Sequence, residues 1–158
     1  MSIDMKEIQN TKKRNQSSGV YLWLVLLKAF HSMSAYAAGT LRDSGLGESD
    51  FRVLEMLLHK GPQAVNALGP KVFLTPGSIS VAVDRLHERG LVSRDESPDD
   101  RRVRVVALTA KGRELIERVF AAHATSIEEL TEILSPGERK DVAKALKKLG
   151  KHAAASLR

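Results

Sequence analysis

The sequence predicts a mainly α-helical protein with one small β-hairpin. The segment from Thr75 to Gly90 has the pattern of a helix that opens with Thr-Pro and closes with Arg-Gly. Two short strands are predicted next, Leu91 to Arg94 and Arg102 to Leu108, joined by a charged turn at 98–100. Thr109 then caps a further helix. This order of helix, strand, charged tip, strand and helix is that of a winged helix.

Length and composition indicate one ordinary domain with helical extensions. The chain has 158 residues, of which 42% are hydrophobic, so it is long enough and apolar enough to form a core. Its net charge of +6 favours a polyanionic partner, either nucleic acid or an anionic membrane surface. The absence of cysteine excludes disulfides, thiol nucleophiles and thiol redox sensing.

Residues 1–18 are polar and of mixed charge, which predicts a flexible N-terminal arm. From Val20 to about Arg42 the pattern is helical, and apolar residues fall on two faces. One stripe contains Val20, Trp23, Leu24, Leu27 and Phe30, and the other contains Leu22, Leu26, Ala29, Met33 and Ala37. Such a helix must be covered on both sides, and a domain this small can cover only one, so the pattern suggests a second subunit.

The same region partly imitates a secretory signal. Basic residues at 12–14 precede the apolar run from Val20 to Leu27, and Ala-Tyr-Ala at 35–37 resembles a cleavage site. Asp4 and Glu7 dilute the basic region and Lys28 ends the run early, so this alternative is the weaker one. No segment approaches the ~20 apolar residues of a membrane span. We therefore expect a cytoplasmic protein with no membrane partner.

Two helices are predicted between this region and the helix that opens at Thr75. The first runs from about Glu48 to His59, and Gly-Pro at 61–62 ends it. The second runs from about Gln63 to Val72, and its internal Gly-Pro at 69–70 predicts that it is short or kinked.

The helix from Pro76 to Arg89 has an unusual exposed face. Ile79, Val83 and Leu86 define its buried stripe, and the 100° step per residue places small, hydroxylic, uncharged residues on the N-terminal half of the opposite face. Such a helix end can approach DNA closely, because small residues reach base edges and the free N–H groups favour phosphate. A plain surface helix, in which Ser and Gly are only capping devices, explains this segment equally well.

The wing tip favours the first interpretation. Arg101, Arg102 and Arg104 are long, permanently charged donors suited to phosphate contact or minor-groove insertion. Asp100 is placed to orient Arg102 by a charge-assisted hydrogen bond. A solvated turn with an incidental ion pair would explain one arginine. It poorly explains three arginines beside a helix whose exposed N-terminal end has only small, uncharged side chains.

Two further helices are predicted after the wing. The first runs from Ala110 to about Leu134 and is apolar on two faces, like the N-terminal helix. Ser-Pro-Gly-Glu at 135–138 is a capping box that begins the second. That helix has an apolar edge formed by Val142, Leu146 and Leu149, and its lysines face water.

The run TPGSISVAVDRLHERGLVSRDESPDDRRVRVVALTAKG strongly resembles the MarR family of bacterial winged-helix transcription regulators, and the resemblance extends from about Trp23 to Leu149. Its most specific part is Asp100-x-Arg102, followed by Leu108-Thr109 and Lys111-Gly112. The resemblance implies a winged helix-turn-helix lobe at 46–109, flanked by helical dimerisation regions at 19–45 and 110–158. Two copies would then form a homodimer on a pseudo-palindromic operator.

In that family the helix matching Thr75 to Arg89 lies in the major groove. The position matching Arg102 enters the minor groove and is held by the one matching Asp100. The resemblance therefore implies a repressor whose partner is double-stranded DNA, and the alternative is an architectural or protein-interaction module without an effector. The predicted DNA-binding residues are Thr75, Pro76, Gly77, Ser78, Ser80, Val81, Arg85, Asp100, Arg101, Arg102 and Arg104.

Members of the family are commonly controlled by a small aromatic, anionic or phenolic ligand bound between the dimerisation helices and the DNA-binding lobe. The run GSISVAVDRL is most similar to quinone- and phenol-responsive members, and the lack of cysteine excludes the branch that senses oxidants through cysteine. The candidate pocket residues are Trp23, Phe30, His31 and Ser34. The ordinary role of such residues is packing in a core or an interface.

No cofactor, metal site or catalytic site is predicted. The five histidines are scattered and lack the spacing of metal ligands. No glycine-rich phosphate loop and no Ser/His/Asp set stands out, so the sequence does not indicate an enzyme.

Overall fold

The computed structural model describes residues 18–96 and 103–157. In this part of the chain, six α-helices and three short strands alternate in the order expected of a winged helix. The helices are α1 (Gly19–Gly39), α2 (Glu48–Lys60), α3 (Val65–Lys71), α4 (Pro76–Glu88), α5 (Ala110–Thr131) and α6 (Pro136–Ser156). The strands are β1 (Gln63–Ala64), β2 (Val92–Glu96) and β3 (Arg104–Leu108).

The three strands form one antiparallel sheet in the order β1-β3-β2. Val92 lies opposite Leu108 and Glu96 opposite Arg104, so β2 and β3 are the two sides of the wing. The predicted boundaries of β2 were wrong by a residue or two, because its pairing with β3 begins at Val92 and continues to Glu96.

Strand β1 was missed by the sequence analysis, which assigned its two residues to a helix. Gln63 pairs with Val106 and Ala64 with Val105, so this segment joins the sheet before α3 begins. A strand of two residues is too short to show an alternating pattern, and only its pairing with β3 defines it. The prediction that the following helix is short is confirmed, since α3 has seven residues with Pro70 inside it.

The predicted helix starts are confirmed by the side chains that cap them. Thr75 accepts a hydrogen bond from the backbone N–H of Ser78, and Thr109 accepts one from that of Gly112. Ser135 and Glu138 form the predicted capping box at α6. The hydrogen bonds from the hydroxyl and backbone N–H of Ser135 hold the pKa of the Glu138 carboxyl below its usual value.

Two predicted helix ends were too late. α1 ends at Gly39, and a short 3₁₀ turn, Arg42–Ser44, occupies the place where the helix was expected to finish. α5 ends at Thr131, where the sequence analysis extended it to about Leu134. Apolar periodicity persists beyond the last hydrogen-bonded turn in both places, so it does not mark the end of a helix.

The hydrophobic core lies in the lobe formed by α2, α3, α4, the sheet and the first half of α5. Its most buried members include Leu54, Leu68, Leu86, Leu91 and Ile116. The buried stripe predicted for α4 is confirmed, because Ile79, Val83 and Leu86 are all buried. This packing fixes one face of α4 and leaves the opposite face on the surface.

Helices α1 and α6 differ from the rest because neither contains a buried residue. In α1 the exposed side chains include large apolar ones on every side, such as Trp23 at 60% and Phe30 at 66% exposure. In the described part of the chain, no helix is both long enough and apolar enough to cross a membrane.

Candidate nucleic-acid interface

The N-terminal half of α4 presents a small, uncharged surface. The predicted DNA-binding residues on it are all exposed: Thr75, Pro76, Gly77, Ser78, Ser80 and Val81. The Thr75 hydroxyl oxygen lies 3.2 Å from the Ser78 backbone nitrogen and 2.8 Å from the Ser78 hydroxyl. The capped first turn therefore has its hydroxyl groups at a helix N-terminus, where an anion such as phosphate is favoured.

A groove of about 400 Å³ separates α4 from the base of the wing. Ser80 lies on its helix side, and Arg94 and Arg104 line it from strands β2 and β3. The exposed end of α4 and two arginines of the wing therefore border the same groove. Guanidinium groups of this kind are suited to contact with phosphate.

The two wing arginines are held by exposed carboxylates. Arg94 donates to Asp84 of α4 over 2.5 Å, and Arg104 donates to Glu96 across the hairpin over 2.8 Å. All four side chains are exposed by more than a third, so water screens these ion pairs and each contributes little to stability. Exchange of a carboxylate for a phosphate would therefore cost little.

Arg94 is a candidate that the sequence analysis missed. The strand prediction stopped at this residue and gave it no role. Arg94 and Glu96 alternate along β2 and so share one face of the strand, and Glu96 pairs with the predicted residue Arg104. That alternation is the signal in the sequence that would have placed Arg94 beside the predicted site.

The tip of the wing lies outside the described residues. It contains three of the predicted DNA-binding residues, Asp100, Arg101 and Arg102. Their roles, including the orientation of Arg102 by Asp100, stay predictions.

Arg85 lies on the flank of α4 and contacts α2. Its guanidinium donates to both carboxylate oxygens of Asp50, with the Nε nitrogen 2.9 Å from Oδ2 and an Nη nitrogen 2.5 Å from Oδ1. Ser49 accepts a further hydrogen bond from it, and Arg89 lies 3.6 Å from the same carboxylate. The hydrogen bond to Asp50 raises the pKa of Arg85 above its usual value.

The ion-paired cluster of Asp50, Arg85 and Arg89, called the Asp50 clasp below, fixes one end of α4. The Asp50 side chain is only 3% exposed, whereas those of Arg85 and Arg89 are 45% and 37% exposed. The buried carboxylate thus ties the C-terminal half of α4 to the first turn of α2, while the N-terminal half stays exposed. The Arg85 guanidinium is engaged by Asp50 in this structure. Its predicted DNA contact stays a prediction.

The four predicted ligand residues do not share one cavity. Ser34 lines a cleft of about 190 Å³ between α1 and the lobe, whose other walls include Phe51 and His123. Phe30 and Ser34 line a larger groove of about 640 Å³ between α1 and α6. Trp23 and His31 are exposed and line neither space. The ligand site therefore stays a prediction.

A polar contact joins the end of α1 to α5 beside the smaller cleft. The Thr40 hydroxyl lies 2.7 Å from the Nδ1 atom of His123, and the His123 ring packs 4.8 Å from that of Phe51. In residues 18–96 and 103–157, no cluster of three or more histidine, aspartate or glutamate side chains is placed to hold a metal ion.

Comparison with known proteins identifies the family. A family model described as MarR family matches residues 46–103, which contain α4 and strand β2 of the wing. The chain is 37% identical over 132 residues to the HTH-type transcriptional regulator MhqR of Bacillus subtilis (strain 168), and the alignment covers 84% of this chain and 91% of MhqR. The chain belongs to the MarR family. It is a DNA-binding transcription regulator, and its relatives are regulators rather than enzymes.

Two further similar proteins agree with a role in transcription regulation or DNA binding. The uncharacterized HTH-type transcriptional regulator YkoM of Bacillus subtilis (strain 168) is 32% identical over 131 residues, covering 83% of this chain and 85% of YkoM. BpsR of Bordetella bronchiseptica, solved in work on regulation of its DNA binding by 6-hydroxynicotinic acid, has a TM-score of 0.73 and 25% identity, covering 85% of this chain and 94% of BpsR.

The fold is matched by a further solved structure. AbsC, a MarR family transcriptional regulator from Streptomyces coelicolor, has a TM-score of 0.77 at 23% identity, covering 85% of this chain and 93% of AbsC. The predicted winged helix-turn-helix fold is thus confirmed.

Proposed function

We propose that this MarR-family protein is a homodimeric repressor that binds a pseudo-palindromic operator in the cytoplasm and is released by a small aromatic or phenolic ligand. The observation that carries the DNA-binding geometry is the shape of α4. Its capped, small-residue end is free and lies beside the wing arginines, while its other end is held by Asp50.

In this proposal the N-terminal half of α4 enters the major groove, where Ser78 and Ser80 reach base edges or phosphates. Arg94 and Arg104 contact the flanking phosphate backbone from the base of the wing. Arg102 at the wing tip enters the adjacent minor groove. The base contacts give sequence preference, and the arginine contacts give most of the affinity.

The dimer is supported by the groove between α1 and α6. It is almost entirely apolar, and its lining side chains include Val25, Met33, Val142, Leu146 and Leu149. An exposed apolar surface of this kind is typical of a subunit interface. The exposed apolar side chains of α1 can be buried if α1 of a second copy packs into this groove.

Replacement of Leu146 by glutamate tests the dimer. A carboxylate in the groove would have to be desolvated on association, so we expect the dimer to weaken by about 100-fold or more. Analytical ultracentrifugation should show a monomer at micromolar concentration, and operator binding should be lost with it. Lys147→Glu places the same charge one residue away on α6 and should leave the dimer intact. A Leu146→Glu protein that sediments as a dimer would contradict the proposed interface.

Replacement of Arg102 by alanine tests the DNA contact of the wing. We expect weaker operator binding and a flatter dependence of log affinity on log salt, by ~0.9 for each phosphate contact that is lost. Fluorescence anisotropy over a salt series measures both. Arg118→Ala removes the same charge from an exposed position on α5 and should have little effect.

The same titrations decide between a regulator and an architectural module. A sequence-specific repressor should prefer its operator over competitor DNA by ~10³ or more. Equal affinity for both, or an Arg102→Ala protein that binds like the parent, would overturn the proposal.

The ligand is supported by two observations. The cleft beside Ser34 lies between α1 and the lobe, where movement would change the spacing of two α4 helices. BpsR, which has a similar structure, has its DNA binding regulated by the aromatic acid 6-hydroxynicotinic acid. A ligand that favours one spacing shifts the population of the dimer by its differential affinity for the two states. Calorimetric titration with phenol and with an aromatic acid, in the presence and absence of operator, measures that difference.

A further inference from the structure

The motif Leu108-Thr109-Ala110-Lys111-Gly112 has no part in the DNA contacts proposed above. It runs from the last residue of β3 into the first turn of α5. The structure places it against the three residues that follow α4, which are the C-cap Arg89, Gly90 and Leu91. The role of the motif therefore concerns the connection between α4 and α5.

The backbone carbonyl of each of these three residues accepts a hydrogen bond from the motif. The Thr109 hydroxyl donates to Gly90 over 2.8 Å, and the Thr109 backbone N–H donates to Leu91 over 3.1 Å. The Lys111 ammonium donates to Arg89 over 3.0 Å. Backbone carbonyls need hydrogen-bond partners when they are packed against other elements, and here all three donors come from the first turn of α5 or from Thr109, which caps it.

Gly112 brings the two backbones into direct contact. A Cβ atom built on Gly112 would overlap the carbonyl oxygen of Leu91 and would lie 2.8 Å from its carbonyl carbon. The first turn of α5 thus lies on the backbone of Leu91 with no side chain between them. Gly90 turns the chain there with a φ of +69°, a value that glycine adopts without strain.

We propose that Thr109, Lys111 and Gly112 form a joint that fixes the C-terminal end of α4 to the first turn of α5, so that α4 follows α5 when α5 moves. Thr109 and Lys111 are positioning residues, since they act on DNA only through the orientation of α4. Ile127, farther along α5, lines the apolar groove that α1 and α6 form. The joint therefore connects that groove to α4. Its effect on operator binding rests on the proposed function, whereas the joint itself does not.

The test separates the joint from the helix cap, since Thr109 serves both. Thr109→Asp keeps an acceptor for the Gly112 N–H, as a good N-cap does, but it cannot donate to the Gly90 carbonyl. Lys111→Met removes the donor to Arg89 and keeps most of the side-chain length. Thr109→Ser retains both hydrogen bonds and is the rescue variant. Lys140→Met, on exposed α6, is the control for lost charge.

Because the chain has no cysteine, two spin labels can be placed without further changes. Val81→Cys on α4 and Ala122→Cys on α5 are at exposed positions outside the joint, and Ala122 lies ten residues after Gly112. Labelled protein is diluted with unlabelled protein so that one labelled copy is present in each assembly. Pulsed electron–electron double resonance then measures the distance between the two labels in the free protein, and circular dichroism checks that the protein is folded.

We expect a narrow distance distribution in the parent, Thr109→Ser and Lys140→Met proteins, and a broad one in the Thr109→Asp/Lys111→Met double variant. Operator affinity of that double variant, without labels, should fall by about 3- to 30-fold. An unchanged distribution in the folded double variant would overturn the joint. A broad distribution with full operator affinity would overturn its effect on DNA binding. If the parent protein does not bind DNA at all, the proposed function fails, while the distances still decide the joint.

Discussion

Replacement of Gly112 by alanine is expected to lower the free energy of unfolding by about 3 kcal/mol, the upper end of the usual cost of overpacking. The added methyl group would overlap the carbonyl oxygen of Leu91. The position of the methyl group is fixed by the backbone of Gly112, and the atoms it meets belong to the backbone of Leu91. No side chain can therefore rotate away to make room. In a chain of this length, such a loss corresponds to a fall in the melting temperature of roughly 6–12 °C.

Denaturant titration followed by circular dichroism measures the effect. Gly137→Ala is the matched control, because a Cβ there meets nothing within 4 Å and alanine favours a helix. We expect that variant to be as stable as the parent or more so. A Gly112→Ala protein with the parent's unfolding midpoint would show that α5 does not lie against Leu91 as described.

Replacement of Asp50 by alanine is expected to cost about 2–3 kcal/mol of stability, because hydrogen bonds to a charged group are among the stronger ones. The loss should be smaller than for a fully buried pair, since Arg85 and Arg89 are partly exposed and water can solvate them. Operator affinity should fall as well, because α4 loses its attachment to α2.

Urea unfolding and operator titration at a temperature where the variant is folded measure these two effects. Asp141→Ala removes the same charge from exposed α6 and separates the loss of the clasp from the change in net charge. If Asp50→Ala and Asp141→Ala behave alike in both measurements, the clasp does not hold α4.

The features that could be predicted from the sequence are local ones. Thr75, Thr109 and Ser135 each start a helix by capping a nearby N–H group, and such caps are separated from their partners by three residues. The buried stripe of α4 follows in the same way from the helical repeat. The wing was predicted because its strands are consecutive in the chain.

The features that were missed depend on contacts between distant parts of the chain. Asp50 and Arg85 are 35 residues apart, and no local pattern pairs them. One signal was present, because Asp50 lies on the helix face that buries Leu54 and Leu57, where an acidic residue requires a partner. The ligand residues were proposed on α1 without knowledge of which face meets the lobe. The packing of α1 decides that, and it separates Ser34 from Trp23 and His31.

If the proposed dimer forms, the 21 residues of α1, none of which is buried in one protomer, make the stability of the protein depend on its concentration. In the proposed dimer, folding and association are linked by mass action, so thermal stability should rise with total concentration. A scarce, unpaired chain offers the tryptophan and leucines of α1 to chaperones and proteases. We therefore expect unpaired copies to be cleared faster than dimers.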